Sequence, residues 1–270
     1  MISIKNLHKT FNPGTINEVY ALRGVDLEVQ SGEWITVIGT NGSGKSTLLN
    51  AIAGSFQPDQ GSIQIDDEDL TAFPSHRRAH LVARVFQNPF QGTAPNMTIA
   101  ENLHLASLRG KQRLPLVHFG KARIEEYAQL IKTLEMQLEN RLDNVIGMLS
   151  GGQRQAITLL MAVMTKPKVI LLDEHTAALD PKTAAQIIRL TRRFIEENHF
   201  TAVMVTHSMQ QALELGTRTI MMNKGQIIDD LDTQVKKRLT VNDLLDKFAE
   251  LRKAEQLTDE MLDRLRREYM

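Results

Sequence analysis

Apolar and polar positions change their period along this chain, and the changes predict its elements. Val25, Leu27 and Val29 alternate with Asp26, Glu28 and Gln30, the period of a strand with one buried face. Gly24 and the Ser31–Gly32 pair bracket this stretch, and Ile63 and Ile65 repeat the pattern after Gly61. Three further runs, Trp34 to Ile38, Val169 to Leu172 and Ala202 to Val205, are apolar without alternation. That pattern belongs to parallel strands covered on both faces. With helical stretches between them, the runs predict an α/β core built on a parallel sheet. The alternating strands near the N-terminus predict an antiparallel portion beside it.

From about Asn88 to Met161 strand signals are few, and Leu103, Leu130, Ile131, Leu134 and Leu138 fit helical faces. Arg109 to Arg113 reads as a short basic loop, a solvated turn before it is a partner contact. From about Thr240 two amphipathic helices are expected. Leu244, Phe248 and Leu251 share one face, and Leu257, Met261 and Leu265 another. Packing onto the core is their simplest use, ahead of a dimer or regulatory contact.

Charge and composition add exclusions. The chain carries 32 Lys+Arg against 32 Asp+Glu, so nothing electrostatic points to a nucleic-acid partner. Cysteine is absent, which removes a disulfide framework, a thiolate nucleophile and a Cys-based zinc site. No stretch of about 18 apolar residues exists to span a membrane, and the first ten residues lack a signal-peptide core. The chain is therefore expected to stay in the cytosol, with a membrane partner still open.

Candidate chemistry lies in two anion-binding designs and a pair of acids. Gly39, Thr40, Asn41, Gly42, Ser43, Gly44, Lys45 and Ser46 match G-x-x-x-x-G-K-[ST], with Thr47 following. Glycines let backbone N–H groups turn inward around phosphate oxygens, Lys45 meets the β and γ phosphates, and Ser46 offers its hydroxyl to Mg²⁺. An apolar strand enters this loop and a helix over Ser46 to Ala53 leaves it, so the helix dipole favours the anion. About 0.01 chance matches would be expected at average composition. The run Val169 to Leu172 ends in Asp173 and Glu174. Beside a phosphate loop, Asp173 would hold Mg²⁺ and Glu174 would act as general base on the attacking water. Leu149, Ser150, Gly151, Gly152 and Gln153 precede a helical stretch to about Met164. Ser150 can cap that helix while the two glycines leave backbone N–H groups uncovered, a second anion site.

The pentapeptide Leu149–Gln153 resembles the signature of ATP-binding cassette (ABC) ATPases, and the resemblance covers about residues 1 to 235. Other motifs follow in the family's order. Gln87 resembles the glutamine that contacts Mg²⁺ and senses the transporter subunit. Asp180, in Ala178-Leu-Asp180, resembles the loop that crosses the dimer interface. His207, in Val205-Thr-His-Ser208, resembles the switch histidine at the γ-phosphate. Phe11 resembles the aromatic that stacks on adenine, with Tyr20 as the alternative. The chain departs visibly at Asp173-Glu-His175-Thr176, where the family has proline in place of histidine.

The resemblance implies a P-loop NTPase fold with a RecA-like parallel core. Residues 1–88 and 162–235 would form the nucleotide-binding core, 89–161 a helical signature subdomain and 236–270 a helical tail of a single domain. It implies ATP and Mg²⁺ as ligands, and a second copy of the chain as partner in a head-to-tail dimer whose sites pair one phosphate loop with the other subunit's signature. It also implies separate transmembrane permease subunits, and a periplasmic or lipid-anchored solute-binding protein if the system is an importer of a small solute such as an amino acid. Localisation would then be peripheral, on the cytoplasmic side of the membrane. The competing readings are a soluble ABC ATPase outside transport and an exporter subunit. A module that has lost hydrolysis is disfavoured because Lys45, Asp173, Glu174 and His207 are all present.

Overall fold

The computed structural model describes residues 1–110 and 120–250. The chain begins in a four-stranded antiparallel sheet with β1 (Ile2–Phe11) and β2 (Val19–Val29). It crosses to a six-stranded sheet at β3 (Trp34–Gly39), runs through α1 (Lys45–Ala53) and returns with β4 (Gln60–Ile65) and β5 (Glu68–Asp69). After α2 (Ser75–Arg78) and β6 (Val82–Val85) come the helices α3 (Ile99–Ser107), α4 (Lys121–Lys132) and α5 (Gly151–Val163). Then follow β7 (Val169–Asp173), α6 (Pro181–Asn198), β8 (Thr201–Val205), α7 (Met209–Glu214), β9 (Arg218–Asn223), β10 (Gln226–Leu231) and α8 (Thr233–Lys236).

Strand order is β2-β1-β4-β5 in the first sheet and β10-β9-β3-β8-β7-β6 in the second. Five strands of the second sheet pair in parallel, and β10 closes it antiparallel to β9. The non-alternating runs are the central strands β3, β7 and β8. On β7, Val169 and Leu171 enter a core shared with α1 and the antiparallel sheet. Ile170 and Leu172 enter a second core with α3, α5 and α6. A strand buried on both faces has no polar side to alternate with, which is why its sequence reads as a continuous apolar run.

Two expectations from the sequence need correction. Leu134 and Leu138 are fully buried against the helical cluster, yet α4 ends at Lys132. Glu135 and Gln137 take φ of 56° and 55°, a left-handed conformation no helix continues through. Their burial comes from an irregular segment folding back, not from a helical face. Arg109 is not part of a solvated turn either. Its guanidinium donates to the Ala162 carbonyl near the end of α5 at 3.4 Å, and burial lowers its pKa. Lys111 to Arg113 lie outside the described residues.

The start of the tail packs onto the core. A helix over 241–250 opens with reciprocal bonds between Thr240 and Asp243. It buries Leu244 and Phe248 against Ile38, Met221 and Leu231, and Lys247 pairs with Asp229 at 2.6 Å. Leu251 and the whole second amphipathic stretch lie outside the described residues. Among the described residues no helix is long and apolar enough to cross a membrane.

Candidate active site

Parallel pairing brings three loop ends to the same edge of the central sheet. β3 lies between β8 and β9, and β8 between β3 and β7. The loop after β3, the acids after β7 and the histidine after β8 therefore leave the strands' carboxyl ends side by side, where ligands bind in open α/β sheets.

The loop after β3 is organised around Lys45. Its ammonium is buried and donates to the Gly39 and Thr40 carbonyls, both at 2.9 Å. Burial lowers its pKa, against the raising effect of the Glu174 and Asp173 carboxylates. Gly44, the N-cap of α1, has φ 99° and no side-chain cap, and the first backbone N–H groups of the helix have no intrahelical partner. Only glycine suits Gly44, because a Cβ there would stand 2.6 Å from the Ala21 carbonyl oxygen. Asn41, Gly42 and Ser46 are exposed, Ser43 is buried and Thr47 is half-buried.

At the end of β7, Asp173 accepts a hydrogen bond from Arg84 Nη2 at 2.6 Å. The next residue, Glu174, turns with φ 45° and carries a largely buried carboxylate. Its Oε1 lies 2.5 Å from His207 Nε2. Backbone pairing fixes this contact, because Glu174 N–H donates to the Val205 carbonyl at 3.0 Å. Acid and histidine thus face each other across the ends of β7 and β8. Gln87 is exposed just past β6.

The second anion design lies on α5. Ser150 is its N-cap, accepting from Gln153 N–H at 3.2 Å, while Ser150 N–H donates to Gln153 Oε1 at 3.3 Å. Ser150 and Gly151 are exposed. Gly152 is buried, and a Cβ there would stand 2.1 Å from Thr183 Cγ2. The missing side chain of that glycine makes room for Thr183 of α6. Asp180 caps α6, accepting from Thr183 N–H at 3.1 Å. Thr183 hydrogen bonds, side-chain and then backbone, hold its carboxyl below the usual carboxylate range.

Phe11 and Tyr20 fall on opposite faces of the β1–β2 ribbon, because Thr10 pairs with Tyr20 and Phe11 with Val19. Phe11 meets Phe56, just beyond α1, edge-on at 5.5 Å. The Tyr20 ring lies 5.4 Å from the Arg23 guanidinium. Phe11 therefore shares the side of α1, and Tyr20 does not.

Three arginines, two buried and one half-buried, support these loops without a sequence motif to mark them. Arg78 donates to the Ala51 and Ile52 carbonyls at 2.7 and 2.9 Å, satisfying the end of α1. Arg154 donates to the Gly147 and Leu149 carbonyls at 2.7 and 3.2 Å. Its guanidinium stacks 3.6 Å from the Phe90 ring centroid, tying the turn before α5 to the segment after Gln87. Arg84 is the third.

His175 replaces a fixed backbone angle with a buried hydrogen bond. Nε2 lies 2.9 Å from Thr191 Oγ1, and the Thr191 hydroxyl donates to the Ile187 carbonyl at 2.9 Å. The ring must then donate from Nε2, which leaves Nδ1 as an unprotonated acceptor, without a partner among the described residues. Burial lowers its pKa from 6.5 to about 4, so the ring is neutral at physiological pH. The unfolded chain's histidine protonates near 6.5, so its contribution is intact above that pH and drains as pH falls towards 4. At about 1.4 kcal/mol per unit, the loss over that window is about 3 kcal/mol. Denaturant unfolding at pH 7.5 and 5 should show a shallower acid loss in His175→Gln than in the parent. Equal losses would contradict this account of the ring.

The donor set suits a hard cation. Ser46 offers a hydroxyl, Asp173 keeps one carboxylate oxygen beyond the one held by Arg84, and Gln87 offers an amide oxygen. One carboxylate with neutral oxygens and substrate phosphates is the chemistry of Mg²⁺ sites.

Comparison with known proteins agrees with this geometry. The ABC transporter family model matches residues 22–177. The chain is 43% identical to the tyrosine transport ATP-binding protein of Clostridioides difficile (strain R20291) over 250 residues, covering 92% of this chain and 98% of that protein. It is 37% identical to a sulfate/thiosulfate import ATP-binding protein of Methylococcus capsulatus over 84% of this chain and 61% of that one. A bicarbonate transport ATP-binding protein of Synechococcus elongatus matches at 37%, but the chain spans only 32% of its length. Among solved structures, a dimeric post-hydrolysis ATP-binding cassette bound to ADP and phosphate superposes with a TM-score of 0.75 at 30% identity. That match covers 86% of this chain and 99% of the other. A cassette solved in its ADP conformation superposes with a TM-score of 0.73 at 27% identity, over 88% and 93% of the chains. The fold, the grouped loop ends and these matches make the chain a member of the ABC transporter family, one of its ATP-hydrolysing, ATP-binding cassettes.

Proposed function

We propose that this cassette powers uptake of a small organic solute, an amino acid such as tyrosine. The observation that carries the reading is the match to a tyrosine transport ATP-binding protein at 43% identity over nearly the whole of both chains. In this reading the loop from Gly39 to Thr47 cradles the phosphates, and Lys45 neutralises the β and γ oxygens. Phe11 stacks on adenine, from the ribbon face on the side of α1. Ser46, Asp173 and Gln87 would hold Mg²⁺, whose charge would offset that of the phosphates. Glu174 accepts the proton of the attacking water, and His207 holds Glu174 and the γ-phosphate in line.

Ser150, Gly151, Gly152 and Gln153 of a second copy would close each site, with Asp180 at the seam. The dimeric cassette among the solved relatives supports pairing of two copies. Core 1–88 and 162–235, helical part 89–161 and tail 236–270 would then be the moving units. Permease subunits would be separate chains, with the cassette bound to their cytoplasmic side and an extracytoplasmic binding protein delivering solute.

Reconstitution in vesicles with a partner permease and binding protein tests the reading. ATP-dependent uptake of labelled tyrosine, or of another amino acid, supports it. Uptake confined to sulfate or bicarbonate would move the assignment to inorganic anions, and efflux would overturn import.

A further inference from the structure

Arg84 lies on the face of β6 that Val82 shares, towards α1 and away from the helical cluster that takes Ala83 and Val85. Its guanidinium reaches two different elements. Nη2 donates to Asp173 Oδ2 at 2.6 Å, and Nη1 donates to Asn50 Oδ1 at 2.5 Å. The group also stands 4.7 Å from the Phe86 ring centroid. Arg84 and Asp173 are only 15% and 13% exposed, and Arg84 Nε is buried without a partner among the described residues.

A planar fork that bonds one element with each prong acts as a brace, which a flexible single ammonium cannot do. Asn50 lies four residues after Ser46 on α1, so the two share a helix face one turn apart. The brace therefore links the strand end that carries Asp173 to the helix that carries Ser46. It occupies one carboxylate oxygen of Asp173 and leaves the other available. Phe86 stacking and the Asn50 bond hold the guanidinium where it is, so it is not free to swing aside as a mobile counter-ion would.

We propose that Arg84 is a positioning residue for the divalent cation, fixing both the orientation of Asp173 and its separation from Ser46. The proposal rests on the reading of Ser46 and Asp173 as cation contacts. Partners that orient a metal ligand alter metal affinity by about 10–100-fold when removed.

The test uses full-length protein, a non-hydrolysable ATP analogue and Mn²⁺ as the probe. Calorimetry gives analogue affinity with saturating Mn²⁺ and with a chelator, and their ratio isolates the cation's contribution. Arg84→Met and Arg84→Lys should both reduce that ratio by about tenfold or more, with chelator affinity within about twofold of the parent. Asn50→Leu, which cuts only the tie to α1, should lower the ratio less and keeps the test open if Arg84→Met does not fold. An unchanged or increased ratio in Arg84→Met overturns the proposal. So does full rescue by lysine, which would reveal a charge effect alone, or an equal loss with and without Mn²⁺, which would reveal a merely structural role. Ser46→Ala separates the two layers. If it leaves the ratio unchanged, the cation reading itself fails and the brace falls with it.

Discussion

Glu174→Gln is expected to lower ATP turnover by about 10²–10⁴-fold, the usual contribution of a positioned general base. The substitution preserves side-chain shape and removes the ability to take a proton. Its effect should be confined to chemistry, because the backbone that sets the residue, Glu174 N–H on the Val205 carbonyl, is untouched. ATP binding should survive, and the ATP-bound form should accumulate. Phosphate release under single-turnover conditions checks this, and a wild-type rate would remove Glu174 from the role of base. The contact between Glu174 Oε1 and His207 Nε2 at 2.5 Å makes His207→Ala informative beside it, since that change frees the carboxylate without removing it.

Lys45→Ala should weaken ATP binding by about 10–100-fold, the effect of losing a charge-assisted bond worth about 1.5–3 kcal/mol. Lys45 is 5% exposed and its ammonium is held by the Gly39 and Thr40 carbonyls. Little ordering is then left for the ligand to induce, and the lost affinity reports the missing charge. Because those two carbonyls also lose their donor, circular dichroism of the variant must accompany calorimetry. Unchanged affinity in a folded variant would overturn the phosphate-loop assignment.

The sequence exposed those parts of the molecule whose pattern is local. β3, β7 and β8 were legible because strands buried on both faces must be apolar throughout. Ser150 was legible as a cap because its capping box with Gln153 closes within four residues. β1 was not singled out. Its alternation of Ile2 and Ile4 breaks where Asn6 turns with φ 46°, and the register shifts between Ile4 and Leu7. β6 has four residues, one of them Arg84, too few to show a period. Arg78 and Arg84 are held by carbonyls and a carboxylate from distant segments, which no window of sequence contains, whereas Arg154 turns back onto the carbonyls just before α5 and meets Phe90 from another segment. Gly152 shows the converse. Its place in the signature was clear, but its contact with Thr183 depends on α6 crossing α5.

The central claim is that two copies close on ATP head to tail, each completing the other's site. Light scattering of Glu174→Gln protein with and without ATP and Mg²⁺ tests it most directly. The chain should scatter as a monomer of 30.4 kDa or a weak dimer without nucleotide, and as a stable dimer with it. Adding Gly151→Asp, which sets a negative charge where the partner's γ-phosphate would dock, should prevent that dimer. A mass indifferent to nucleotide, or a dimer that persists with the signature blocked, would contradict the account.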